Sequence, residues 1–330
     1  MLKITKSVQP IQVNTLVVVL YSAPGLGKTT MAFTAEKPLL LDFDKGAHRS
    51  KNRRDVVIVD KWSDVTEITA EDLANYKTLV VDTAGRALDV LTQDIIHNNP
   101  KAGRGGALTL QGYGELRSKF TAWVKMVRSF GLDVVLLAHA DEQRSGDEVI
   151  ERLDVQGGSK NEIYKSADVM GRIVIANKRR MLNLSPTDTA FGKNPGQLPP
   201  MDVPDYGEAP DFLAGVIAQT KAALNALTEE QTKAAAAMAE WKEKIDKLAT
   251  VEEFNATIEP IKAADESVRE NVRRLLHKAA LAKGLVPNKA TGAYYVAPAP
   301  AAAPPAAPPA REPGSDDLAE QKTAKRGKAA

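Results

Sequence analysis

Between residues 16 and 184 the apolar positions fall into short continuous runs separated by stretches with helical spacing. The runs are LVVVLY (Leu16 to Tyr21), LLL (Leu39 to Leu41), VVIV (Val56 to Val59), TLVV (Thr78 to Val81) and VVLL (Val134 to Leu137). Runs with so little polar alternation suit strands buried on both faces, and their alternation with helical patterns predicts an α/β core built on a mainly parallel sheet. Two later segments, Arg172 to Asn177 (RIVIAN) and Met181 to Leu184 (MLNL), read as strands joined by the basic turn Lys178, Arg179 and Arg180, a hairpin at one sheet edge.

From Ser185 to Pro210 the composition shifts to Pro, Gly, Asp and Asn, which breaks regular structure and closes the core. Asp211 to Gly284 is rich in Ala, Glu, Lys and Leu and predicts a set of short helices. Three Ser/Thr-x-x-Glu/Gln capping boxes punctuate it, at Thr228 with Gln231, Thr250 with Glu253 and Ser267 with Glu270. Val268, Val272, Leu275, Leu276 and Ala279 share one face of the last helix, and Gly284 stands where a stop belongs. After Val296 the run APAPAAAPPAAPPA has nothing with which to build a core. The expected organisation is a P-loop core over 1–210, a helical domain over 211–290 and a disordered Pro/Ala-rich tail over 291–330.

Composition narrows the class. Of 330 residues, 43% are hydrophobic and 26% charged, ordinary values for a globular protein able to bury a sizeable core. The absence of cysteine excludes disulfides, thiolate zinc sites and cysteine nucleophiles. No apolar run approaches the ~20 residues a membrane span needs, and MLKITKSVQP lacks the apolar stretch of a secretion signal, so the expected location is the cytoplasm. The net charge of +2 points to no partner, which leaves local clustering of charge as the guide.

The first strand runs directly into SAPGLGKTT and then into a helical pattern, the setting in which a P-loop motif is credible. Ser22, Ala23, Pro24, Gly25, Leu26, Gly27, Lys28, Thr29 and Thr30 would hold the phosphates of ATP. Gly25 and Gly27 let backbone N–H groups converge, Lys28 reaches the β and γ phosphates, and Thr29 offers its hydroxyl to Mg²⁺. Ser22 replaces the usual first glycine. Asp82, at the end of TLVVD, would hold Mg²⁺ opposite Thr29. Asp42 and Asp44 end the second strand, where ligands gather in open α/β sheets, and Asp44 is the favoured carboxylate for positioning the attacking water. His139 closes the fifth strand at the same edge, as a sensor of the γ-phosphate or as a structural donor.

Basic residues cluster over Lys45 to Arg54, Lys101 to Lys125 and Lys160 to Arg180. The middle cluster, with Lys101, Arg104, several glycines and Tyr113, predicts a mobile loop that orders on a nucleic-acid strand by charge and stacking. A solvated loop is the plain alternative.

Taken in order, SAPGLGKTT, LLLDFD, LVVDT, VVLLAH, GGSKNEIYKSADVMGRI and GKNPGQLPP resemble the phage AAA-type ATP-binding proteins of the RecA-like Sak group, which act in recombination and single-strand annealing. The resemblance covers Leu16 to Pro200. It implies a RecA-like fold in which Asp42-Phe43-Asp44 stands where these proteins carry their catalytic carboxylate. It further implies that Gly157, Gly158, Ser159 and Lys160 face DNA, and that Lys178, Arg179 and Arg180 reach the ATP of a neighbouring subunit.

The reading is a RecA-like ATPase that uses ATP and Mg²⁺, binds single-stranded DNA, promotes annealing alongside a single-strand binding protein, and assembles as a ring or filament. Two rivals stay open: a motor or helicase-loader-type remodelling ATPase, and an ATP-gated binding module with negligible turnover.

Overall fold

The computed structural model describes residues 5–6, 9–145, 148–155, 159–288 and 291–296. In chain order the first elements are β1 (Val17–Ser22), α1 (Lys28–Ala32), β2 (Pro38–Asp42), β3 (Asp55–Ile58), α2 (Ser63–Thr66), β4 (Thr78–Asp82) and α3 (Ala84–Asn98). There follow β5 (Gly103–Arg104), β6 (Ala107–Leu108), α4 (Leu110–Ser129), β7 (Asp133–Ser145), β8 (Glu148–Leu153), α5 (Ser159–Ser166), β9 (Val169–Ala176), β10 (Arg179–Asn183) and β11 (Met201–Asp202). Helices α6 (Phe212–Asp246), α7 (Val251–Ala256), α8 (Ile258–Lys262) and α9 (Glu266–Ala282) precede the small strands β12 (Leu285–Pro287) and β13 (Tyr294–Val296).

The main sheet runs β11-β10-β9-β1-β7-β4-β2-β3, and β8 pairs with the outer part of β7. From β9 to β3 every neighbour pair is parallel, while β10 and β11 add an antiparallel edge. This is the arrangement the apolar runs predict. Alternate side chains of each central strand enter opposite cores. Val17, Val19 and Tyr21 pack with α3 and α4, whereas Leu16, Val18 and Leu20 pack with α1 and the first turns of α6.

By compactness the chain divides into 1–237 and 238–330. The first unit therefore runs past the composition break at 210, because Leu213, Val216 and Ile217 of α6 are buried in the second core. The expectation of short helices is corrected there. Thr228 lies inside α6 and donates its hydroxyl to the Leu224 carbonyl, so it caps nothing. In the second unit the Thr250 box forms: Glu253 N donates to Thr250 Oγ1, and Glu253 Oε2 accepts from Thr250 N. The cap of α9 is Asp265, not Ser267. Val268, Val272, Leu276 and Ala280 form its buried stripe, and Gly284 takes the left-handed conformation just beyond its end, with φ 75°. Tyr294–Val296 pair with Leu285–Pro287, which corrects the expected start of the tail at 291; residues 297–330 lie outside the described residues.

Candidate functional site

Strand register assembles the site. Ser22, the last residue of β1, pairs with His139 of β7, and Asp42 of β2 pairs with Asp82 of β4, so four polar groups meet at the carboxyl edge of the sheet. The chain then turns through Gly25 and Gly27, with φ of 82° and 83°, values that favour glycine, before α1 begins at Lys28.

Lys28 is buried, and its ammonium is held in a nest of acceptors. Nζ donates to the Ser22 carbonyl at 3.0 Å, to Ser22 Oγ at 3.2 Å and to the Ala23 carbonyl at 3.2 Å. The serine in place of the first glycine thus supplies an acceptor of its own. Burial lowers the Lys28 pKa, and the nearby carboxylates of Asp82 and Asp44 oppose that shift. Nζ also lies 3.3 Å from His139 Nδ1. The ammonium has three protons for these four neighbours and no lone pair to offer, so the imidazole tautomer with its proton on Nε2 suits the contact. That nitrogen faces Asp44 Oδ2 at 3.7 Å. Burial and the Lys28 charge lower the His139 pKa, which keeps the imidazole neutral near neutrality.

The two candidate carboxylates separate clearly. Asp42 accepts from Gly46 N at 3.1 Å and Ala47 N at 2.9 Å, so it is committed to holding the turn that follows β2. Asp44 faces His139 and is flanked by Arg86, whose Nε donates to Oδ1 at 3.3 Å. Sequence reading misses Arg86, which sits in the first turns of α3 with no motif to mark it.

Thr29 Oγ1 donates to Asp82 Oδ2 at 2.7 Å. Burial pushes the Asp82 carboxyl up to about 6 against the opposing effect of that hydrogen bond and of Lys28. The group is short of positive charge, and hard oxygen donors beside such a carboxylate fit Mg²⁺. Among the described residues no cluster of three or more His, Cys, Asp or Glu side chains forms a metal cage, so Thr29 and Asp82 would share the ion with phosphate and water. When bound, Mg²⁺ supplies charge that offsets the build-up on the phosphates.

The remaining predicted residues scatter. Lys101 and Arg104 are exposed on the β5–β6 hairpin and its preceding turn. The expected mobile loop is corrected: Gly103, Gly105 and Gly106 build that hairpin, while Gly112, Gly114 and Tyr113 lie in α4, the tyrosine partly buried against the first core. Gly157 and Gly158 lie outside the described residues, as do the side chains of Ser159 and Lys160, the first two residues of α5. The turn between β9 and β10 is made by Asn177 and Lys178, with φ of 52° and 63°, so Arg179 and Arg180 belong to β10. Arg179 Nη1 pairs with Asp202 Oδ2 at 2.9 Å. Arg180 is not directed outward: its guanidinium rests against Gly27 of its own chain, and Nη2 donates to the Pro204 carbonyl at 3.1 Å.

A family model described as an AAA domain matches residues 14–195, more than half of the chain. The protein belongs to the AAA domain family, and its class is that of a P-loop ATPase. No curated protein matches it. No helix among the described residues is long and apolar enough to cross a membrane.

Proposed function

We propose that this chain is a phage-type, RecA-like ATPase of the Sak group that binds single-stranded DNA in an ATP-dependent way and promotes annealing in recombination. It acts in the bacterial cytoplasm, as a homo-oligomer, beside a single-strand binding protein. The observation that carries the ATPase part is the convergence of Lys28, Thr29, Asp82, Asp44 and His139 at one sheet edge. Lys28 and the loop N–H groups hold the phosphates, Thr29 and Asp82 hold Mg²⁺, Asp44 orients the attacking water, and neutral His139 contacts the γ-phosphate.

The DNA part is supported by the motif order and by the β5–β6 hairpin. Lys101 and Arg104 are exposed there, and Leu110, which opens α4 shortly after β6, is 88% exposed. A basic rim carrying an outward apolar side chain suits a strand whose phosphates need neutralising and whose bases offer apolar faces.

The test is ATPase turnover with and without single-stranded DNA, run beside annealing of complementary strands. Stimulated turnover with annealing supports the proposal. Directional unwinding or loading supports the remodelling rival, and tight nucleotide binding without turnover supports the gated module.

A further inference from the structure

The least expected contact at the P-loop comes from the opposite side to the catalytic groups. In the sheet, β1 lies between β7 on one flank and β9 on the other. His139 comes from β7, and Asp82 and Asp44 come from β4 and the end of β2 beyond it. Arg180 comes from β10, on the other flank. A Cβ placed on Gly27 would meet Arg180 Nη1 at 2.6 Å, so the guanidinium lies directly against the P-loop turn, in space that a side chain at this position would contest.

This guanidinium has no carboxylate partner among the described residues, although its neighbour Arg179 has one in Asp202. One protein acceptor, the Pro204 carbonyl, takes a single Nη2 proton, and the fork retains further donors. It is held against the P-loop turn at Gly27, the residue that leads into α1. A partly exposed guanidinium with spare donors beside such a turn is placed to take an anion.

We propose that Arg180 is a nucleotide-binding residue acting in cis, a ligand for the sugar-proximal phosphates of the nucleotide held by its own P-loop. The terminal phosphate belongs with Lys28, His139 and Asp44, so the chain of phosphates leads from there past Gly27 towards β10. Arg180 thereby grips the part that ATP and ADP share. It is a positioning residue: it fixes where the phosphate chain lies and takes no part in water activation. The inference rests on the reading of Ser22 to Thr30 as a nucleotide site.

The experiment measures affinity for ATP and for ADP, by displacement of a fluorescent ADP, in the parent protein and in the variants R180A, R180Q and R180K. R180Q retains a donor for the Pro204 carbonyl while losing the charge, which separates phosphate binding from support of the fold. R180A and R180Q should each weaken ATP and ADP to the same extent, roughly ten- to a hundredfold, with R180K between them and the parent. Parental ADP affinity in R180Q overturns the inference, as does a loss confined to ATP. So does recovery of turnover on mixing R180A with K28A chains, the sign of an arginine working across subunits. If the parent itself fails to bind fluorescent ADP, the nucleotide-site reading falls and this inference falls with it, whereas a binding parent with an unaffected R180Q removes the inference alone.

Discussion

Nε2 of His139 lies 3.7 Å from Oδ2 of Asp44. In the tautomer that suits the Lys28 contact, the ring proton points at the carboxylate, so the imidazole links the phosphate-binding lysine to the carboxylate assigned to the water.

Replacing Lys28 with Ala should weaken ATP binding by at least about a hundredfold, because the phosphates lose their charge-assisted partner. The strand and core around it are unchanged, so the protein should still melt cooperatively. Parental affinity in a folded K28A protein, measured by calorimetric titration, would refute the P-loop assignment.

Asp44→Asn should leave ATP affinity within a few-fold of the parent and lower kcat by roughly 10²–10⁴-fold, since water positioning and not phosphate capture is lost. Steady-state turnover beside binding separates the two effects. Turnover equal to the parent moves the role to another group.

Asp82→Asn should abolish the tightening of nucleotide binding by Mg²⁺. The melting temperature of the nucleotide-free protein should not fall, because a desolvated carboxylate is replaced by a neutral amide. Titration of magnesium against nucleotide affinity checks the first part and a thermal melt the second.

His139 sets a pH dependence. Its folded pKa lies below the ordinary 6.5, from burial and the Lys28 charge, with Asp44 and Asp154 opposing. As pH falls below that ordinary value, the unfolded chain takes up the proton before the folded one does, so stability is present above it and lost on acidification. Between about pH 7 and about pH 5.5 the parent's Tm should therefore fall more than that of His139→Gln. Parallel Tm curves would remove the histidine from the account.

Thr250→Ala should destabilise the unit over 238–330 by about 1 kcal/mol, through loss of the acceptor for the Glu253 amide. Thr228→Ala, within α6, should cost less than half as much. Denaturant melts of the two variants compare them.

Much of the site was legible because it is local. A P-loop is nine consecutive residues, Asp82 ends β4, and His139 follows the apolar run of β7, although that strand continues to Ser145 and so is not closed by the histidine; parallel register brings them together. The β7–β8 hairpin leaves little mark in the sequence pattern because EVIERL mixes charged and apolar residues and carries no apolar run longer than two. The length of α6 was hidden by Thr228 and Gln231, whose spacing imitates a cap wherever it occurs; the threonine hydroxyl is satisfied by the carbonyl one turn back. Arg86 and the inward turn of Arg180 depend on contacts across 42 residues and from β10 to the P-loop, which no spacing rule encodes.

The docking of α6 on the sheet bears on what counts as a self-sufficient piece of this chain. The AAA match stops at 195, yet Leu213 N donates to Thr34 Oγ1, Lys221 pairs with Asp133 at 2.6 Å, and Leu213, Val216 and Ile217 complete the second core. Uncovering three such side chains forfeits about 1.5–3 kcal/mol each, a large part of the roughly 5–15 kcal/mol by which a domain is stable. The stretch matched by the family takes the last wall of its second core from a helix beyond the matched residues, and cutting the chain at the composition break would bare that apolar flank to water.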